Sequence, residues 1–316
     1  MKIAFLGLGK MGKRMVWKLL LDGHDVVVWN RSSMPTEELV EKYEKVPSQK
    51  RKKMGDLSIA PEILDLKKLL NKSRVIWLMV PSGEATNSVL EEVSDIVSEG
   101  DIVIDGGNSY FKDTQKWYEK FQKENVKFLG VGVSGGVLAD KNGFSLMVGG
   151  SEKGYEYIKP ILKTLAAPNG SFDYFGTGGV GHFIKMVHNG IEYGMMQSIG
   201  EGFGVINKSP YKIDTLKVAK VWQKGSIISS FLVDRAKDAL DKDPNLSDVI
   251  GLIDATGEAK WTVEEAKKEN VEVPVIKDAL LFREKSKKDK KIQKSFTAKM
   301  VSALRREFGG HKIKEK

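Results

Sequence analysis

The chain has 316 residues, 41% of them hydrophobic, enough to bury a sizeable core in two domains of ordinary size. Its formal charge of +9 suits an acidic partner, yet 51 basic residues are mixed with 42 acidic ones. The densest basic run, Lys285 to Lys294, holds no aromatic for stacking on bases, so it reads as a solvated helix face and not a nucleic-acid surface, and the absence of cysteine excludes disulfides, thiolate metal sites and a thiol nucleophile.

Lys2 to Leu6 predicts a strand that reaches glycines at once, without the longer apolar stretch and small-residue cleavage site of a secretory signal. The longest other apolar run, Val75 to Val80, falls far below the roughly 20 residues of a membrane span, so a cytoplasmic enzyme is expected, with no membrane partner. Gly7-Leu8-Gly9-Lys10-Met11-Gly12 follows the first strand and opens a helix. Three glycines alone would fit an ordinary strand-to-helix turn. Their position in a βαβ unit points to a dinucleotide: Gly7 for the tight turn, Gly9 for close approach of a pyrophosphate, Gly12 for helix-on-strand packing.

Asp25 to Trp29 predicts the second strand, and it ends in Asn30-Arg31-Ser32, where an NAD enzyme usually offers an acid to the ribose hydroxyls. Asn30 is neutral, Arg31 can pair with a 2′-phosphate unless it merely points to solvent, and Ser32 adds a donor. NADP is therefore favoured, with NAD as the alternative. The polar stretch Val46 to Pro61 is assigned no structure. Further strands are expected at Val75 to Val80, Ile102 to Asp105 and Lys127 to Val133, as near-continuous apolar runs of a parallel sheet covered on both faces. Two of them end in glycine-rich loops, Asp105 to Ser109 and Val133 to Gly136. There Asn108 and Ser134 can bind a ligand and the Gly135-Gly136 backbone can face a carboxylate or nicotinamide, although turn chemistry alone also explains these residues.

After Tyr174 and Phe175 no convincing strand remains, and Val180 to Ile206, Ile213 to Trp222, Ile228 to Leu240 and Val275 to Lys285 carry helical spacing. The expected fold is α/β: an amino-terminal Rossmann-type doubly wound parallel sheet (1–177), then an all-helical domain (178–316) for substrate binding and oligomerisation. In the first of these helices Asn189 and Glu192 stand four and seven positions after Lys185, so a base, an amide and an acid share one narrow face, with Tyr193 at a wider angle. Phe183, Ile184, Val187 and Ile191 are expected to form much of the opposite, packing face. A buried lysine can accept a hydroxyl proton and a carboxyl group of raised pKa can return one; the competing reading is a surface ion-pair pattern. His188 is either a substrate hydrogen-bonding group or a satisfied core histidine.

Together with Ile104 to Ser109, Val133 to Gly136, Lys260-Trp261-Thr262 and Arg305 to His311, these segments resemble the 6-phosphogluconate dehydrogenase family of the β-hydroxyacid dehydrogenase superfamily, over nearly the whole chain. The resemblance implies that Lys185 takes the 3-hydroxyl proton as hydride leaves carbon 3, that the β-keto acid loses carbon dioxide, and that Glu192 protonates the enediol to give ribulose 5-phosphate, without a metal. It implies that Asn108, Ser134, Gly135, Gly136, His188 and Asn189 hold the sugar acid, and that Tyr193 and Arg283 hold its phosphate. Arg305 and His311 belong to a tail that enters a neighbouring subunit's site, which requires a homodimer or higher homo-oligomer; the bland reading of that tail is a frayed basic end. Leu8, Lys10, Met11, Val80 and Pro81 join the cofactor-binding set. The chain looks like the family's short form. Thr256 stands near a phosphate-binding lysine of the long form and Pro81 near a lysine of its cofactor loop. Two competing readings are a dehydrogenase of a small unphosphorylated hydroxy acid, opposed by Arg283, Arg305 and His311, and a non-catalytic dinucleotide-binding module, opposed by Lys185.

Overall fold

The computed structural model describes residues 1–255 and 257–310. They form two compact units, Met1–Lys185 and the residues from Met186 onward. The first is built on an eight-stranded sheet of β1 (Lys2–Leu6), β2 (Asp25–Trp29), β3 (Leu57–Ile59), β4 (Val75–Leu78), β5 (Ile102–Asp105), β6 (Lys127–Ser134), β7 (Ser145–Gly150) and β8 (Phe172–Tyr174). Their order is β3-β2-β1-β4-β5-β6-β7-β8, and every neighbouring pair is parallel except β6 with β7.

Period-two alternation sends successive β1 residues to opposite layers. Ile3 and Phe5 pack with Met15, Val16 and Leu19 of helix Lys10–Leu21 and Ile158 and Leu162 of helix Glu152–Ala166. Ala4 and Leu6 face the other layer, with Val89 and Leu90 of helix Glu84–Ser94 and Phe121 of helix Phe111–Lys123. Burial on both faces is why these strands read as unbroken apolar runs. The chain leaves β1 toward β2 and β3, then crosses back to β4 on the other side of β1. That reversal opens a crevice at the carboxyl ends of β1 and β4.

Two strands lie where none was expected. β3 is a three-residue edge strand inside the unassigned polar stretch, paired with β2 through Val27↔Ser58. β7, Ser-Leu-Met-Val-Gly-Gly, is glycine-tipped and pairs antiparallel with β6.

In the second unit the regular elements described are helices: most of Val180–Lys208, then Thr215–Trp222, Phe231–Lys242, Glu258–Lys268, Pro274–Ser286, Lys290–Lys294 and Phe296–Gly309. Side-chain caps fix several starts: Ser230 Oγ accepts from the Val233 N–H at 3.3 Å, and Ser295 Oγ from the Ala298 N–H at 3.2 Å. Their apolar faces meet in a core that includes Met196, Phe203, Ala236, Leu240, Met300 and Leu304. Helices Glu258–Lys268 and Phe296–Gly309 were not expected. The lysines from Lys285 to Lys294 are all exposed, across a helix end, a turn capped by Asp289 and a short helix. No helix among the described residues is long and apolar enough to cross a membrane.

Gly12 carries a sharp test of the first unit, since a Cβ there would lie 2.1 Å from the Gly7 carbonyl oxygen. Gly12→Ala is expected to cost about 1–3 kcal/mol by overpacking, a fall of several degrees in thermal unfolding. An unchanged melting point would mean that turn and helix do not approach this closely.

Candidate active site

Five turns line the carboxyl edge of the first unit's sheet, after β1 (Gly7 to Gly12), β2 (Asn30 to Ser32), β4 (Met79 to Pro81), β5 (Gly106 to Ser109) and β6 (Ser134 to Gly136). Gly7 has φ +101°, and a Cβ on it would sit 2.5 Å from the Met79 carbonyl oxygen, so the first turn lies against the end of β4. Gly9 differs: as the N-cap of helix Lys10–Leu21 it would place a Cβ within 4 Å of no protein atom. The space over the helix amino terminus is therefore open, with N–H groups available to a pyrophosphate. The residues fit a dinucleotide.

The Asn30 side chain braces this turn. Its Oδ1 accepts from the Leu8 N–H at 2.9 Å, while Nδ2 donates to Ser32 O at 2.9 Å and Ser32 Oγ at 3.2 Å. Ser32 Oγ, accepting there, keeps its own proton to donate. Arg31 and Pro81 are exposed, and Val80 is half-buried.

Asn108 stands exposed after β5, on a loop shaped by the buried Asp105, whose Oδ1 accepts from the Gly107 N–H at 2.9 Å. Ser134 ends β6, followed by Gly135 (φ +119°) and Gly136 (φ +62°) in left-handed backbone. Lys185 is buried beside the same strand: a Cβ on Gly132 would lie 2.4 Å from the Lys185 Cβ. The helix start is pressed on the sheet, since a Cβ on Gly181 would come within 2.3 Å of Gly130 O and 2.5 Å of Met147 O. One turn before Lys185, the buried His182 has Nδ1 2.7 Å from Thr114 Oγ1. Burial pushes its pKa down, with Asp105 pulling the other way.

In the second unit, His188 Nδ1 lies 3.0 Å from Asn189 Oδ1 and 4.0 Å from Glu192 Oε2. Asn189 is buried; His188 and Glu192 are half-buried. The expected packing face is reversed. Ile191 is 53% exposed and Phe183, Ile184 and Val187 only half-buried, whereas His182, Lys185, Asn189 and Tyr193 face inward. Close packing is supplied by glycine: a Cβ on Gly190 would meet Thr262 Cγ2 at 2.9 Å, and Thr262 Oγ1 donates to Met186 O at 2.9 Å. That contact gives Thr262 of the Lys260-Trp261-Thr262 segment its place.

Tyr193, Arg283 and Arg305 come together in this unit's interior. The Arg283 guanidinium carbon sits 3.3 Å from the Tyr193 ring centroid, and Nη2 lies 3.9 Å from Met196 Sδ. Burial pushes the Arg283 pKa down to about 10, with Arg305 adding to the fall and Tyr193 and Glu192 opposing it, so Arg283 stays charged at neutral pH. Arg305 is neither frayed nor exposed. Arg305, which the resemblance put on a tail that enters a neighbouring subunit's site, lies in helix Phe296–Gly309 and is 6% exposed. Burial pushes its pKa down too, and Tyr193, Asp254, Glu192 and Glu258 counter the fall. Sequence reasoning missed the last acid, Glu258, which is 3% exposed; nothing in an acidic helix start distinguishes a buried glutamate from a solvated one. Thr256 and His311 lie outside the described residues.

Residues 2–179 match the family model for the NAD binding domain of 6-phosphogluconate dehydrogenase, and residues 181–316 that for the 6-phosphogluconate dehydrogenase C-terminal domain. The chain belongs to the 6-phosphogluconate dehydrogenase family. It is thus an oxidoreductase of a family whose relatives include NAD- and NADP-dependent forms. It is 38% identical to the Bacillus subtilis protein YqeC, over all of both chains. It is 33% identical to the NAD-dependent, decarboxylating 6-phosphogluconate dehydrogenase of Haloferax volcanii, over 100% of this chain and 99% of that one. The 6-phosphogluconate dehydrogenase of Plasmodium falciparum, described with NADP and with 6-phosphogluconate, superposes with a TM-score of 0.79 at 31% identity over 91% of this chain, which spans 62% of that longer one.

His182 and His24 are held neutral chiefly by burial, His24 with the amino terminus adding to the fall and Asp22 and Asp25 opposing it. Their folded pKa values lie below the unfolded value of about 6.5, so the stability they contribute is complete above that pH and is lost as pH falls through the folded values. Unfolding free energy should decline from pH 7 toward 5. His182→Asn should flatten that decline by up to about 1.4 kcal/mol per pH unit, one proton's worth; an unaltered slope would show that His182 titrates like a free imidazole.

Proposed function

We propose that the chain oxidises and decarboxylates 6-phospho-D-gluconate to ribulose 5-phosphate and carbon dioxide, with NADP favoured as acceptor and NAD as the alternative. The observation that carries this reading is Lys185, a lysine buried beside Gly132 on the strand that ends in Ser134, Gly135 and Gly136. An amine held at this place, beside the strand that leads into the Ser134 loop, is the group we assign to accept the 3-hydroxyl proton. The glycine turn Gly7 to Gly12, with Leu8, Lys10 and Met11, holds the dinucleotide, helped by Asn30, Arg31, Ser32, Val80, Pro81 and Asn108. When bound, the nicotinamide accepts hydride from carbon 3.

Asn108, Ser134, the Gly135-Gly136 backbone, His188 and Asn189 orient the sugar acid. Asn189 engages His188 and fixes its ring. Loss of the carboxylate leaves an enediol, and Glu192, two turns beyond Lys185 on the same helix, returns a proton to it. Arg283 and Arg305 supply the phosphate's counter-charge, and Tyr193 holds Arg283 by its ring face. A homodimer or larger homo-oligomer, with His311 reaching a neighbouring subunit, completes the reading, and sedimentation at several concentrations tests it.

The primary experiment follows the absorbance of reduced cofactor with 6-phosphogluconate and NADP or NAD while carbon dioxide is trapped. One carbon dioxide per reduced cofactor is expected, and absence of reduction with both cofactors would sink the proposal. Lys185→Met should lower turnover by about 10²–10⁴-fold while cofactor still binds. Arg31→Ala should weaken NADP use and spare NAD; equal effects on both would remove the 2′-phosphate contact from Arg31.

A further inference from the structure

Arg14 lies one turn into the dinucleotide helix Lys10–Leu21, and nothing in the reaction proposed above uses it. Its guanidinium reaches in two directions. Nη1 donates to the carbonyl of Lys10, a residue of the glycine turn, at 2.6 Å. Nε donates to the carbonyl of Val137 at 3.0 Å, across 123 positions of sequence, and lies 3.8 Å from Asp140 Oδ2. Val137 belongs to the turn Gly136–Leu138 directly after Ser134-Gly135, and Asp140 to the short helix Ala139–Asn142 that follows.

We propose that Arg14 is a positioning residue that couples occupancy of the glycine turn to the conformation of the 134–142 loop, so that cofactor binding sets this loop for the sugar acid. The inference rests on the substrate reading above only for the loop's ligand. Three features make the loop a responsive element. Gly135 and Gly136 both sit in left-handed backbone, leaving its entry without side chains to anchor it. The 3₁₀ turn and four-residue helix are too short to be stable alone. And the Val137 carbonyl is held by a side chain of another element.

A planar guanidinium suits this task because its fixed fork of donors holds two carbonyls at a set separation, which a lysine ammonium on a flexible stem does not. Asp140 adds a second tether. Its carboxylate raises the pKa of Lys42, which burial chiefly lowers and Arg14 lowers further, and the Lys42 ammonium lies 3.7 Å from the Trp17 ring centroid. Trp17 is on the dinucleotide helix and Lys42 on helix Met34–Glu44, the next after β2. The Asp140 carboxylate thus acts on both Arg14 and the Lys42 ammonium, whose helix follows β2. Arg14 and Asp140 are about a third exposed, so the contacts can break and re-form without unfolding the core.

Amide hydrogen exchange of the full chain, with and without saturating NADP or NAD, reads the coupling. Cofactor should slow exchange at residues 7–12 and also at 134–142 by at least threefold. In Arg14→Met the first protection should persist and the second should disappear, and Arg14→Lys should restore only part of it. Kinetically, Arg14→Met should raise the KM for 6-phosphogluconate about tenfold while the KM for cofactor and kcat change less than threefold. Protection of 134–142 that survives in Arg14→Met, or that never occurs in the native chain, overturns the coupling. If Arg14→Met does not fold, Asp140→Asn replaces it: a halved loop protection with an unchanged turn is expected, and an unchanged loop overturns the proposal. Failure of the substrate reading shows separately, as no turnover of 6-phosphogluconate while the exchange result stands. No protection at residues 7–12 with either cofactor defeats the coupling itself.

Discussion

The first turn of helix Val180–Lys208 rests on β6 and β7 almost backbone to backbone, and the first unit's chemistry depends on that contact. Gly181 faces the carbonyls of Gly130 and Met147, and Gly132 faces Lys185. Any larger side chain at these glycines would lift the helix. Such packing is costly in a helix and in a strand, where glycine gives up conformational entropy, so its use here follows from what it places. A lysine emerging from a helix held this tightly has its stem fixed before it meets any ligand, beside the strand that leads into the Ser134 loop. Preorganisation of this kind removes the entropy of ordering a long side chain from the reaction step.

The second unit solves a different problem, that of keeping two arginines in an interior. Stacking Arg283 on Tyr193 supplies an attractive face without neutralising the cation, and the acids Glu192, Asp254 and Glu258 offset part of the desolvation of Arg305. The acids do not bring the Arg283 pKa back to its usual level. That remaining positive charge is what the proposed phosphate contact rests on.

Much of the first unit was legible because a sheet covered on both faces writes itself as apolar runs, and β1, β2 and β5 fall where the runs do. β3 escaped because three edge residues carry too little burial to leave a pattern, and β7 because its glycines, Gly149 packed against Val180 and Gly181 and Gly150 against Phe128 and Leu129, dilute its strand character. The spacing of Lys185, Asn189 and Glu192 was readable as a shared helix face. Which face points inward was not. Periodicity assigns the interior to Phe183, Ile184, Val187 and Ile191, but buried partners make the polar face the inner one. The same blindness hid Glu258 and helix Phe296–Gly309, whose arginines look like a solvated end until burial is known.

Asn30 joins two matters that a sequence comparison treats separately. One end of its amide receives the Leu8 N–H and the other gives hydrogen to both oxygens of Ser32. An aspartate, the residue that would court an unphosphorylated ribose, preserves the acceptor and forfeits both donors. The side chain that braces the glycine turn thus stands at the position where an acid would meet a ribose. Placing a carboxylate there would remove both bonds to Ser32 and oblige the loop to be held by other groups.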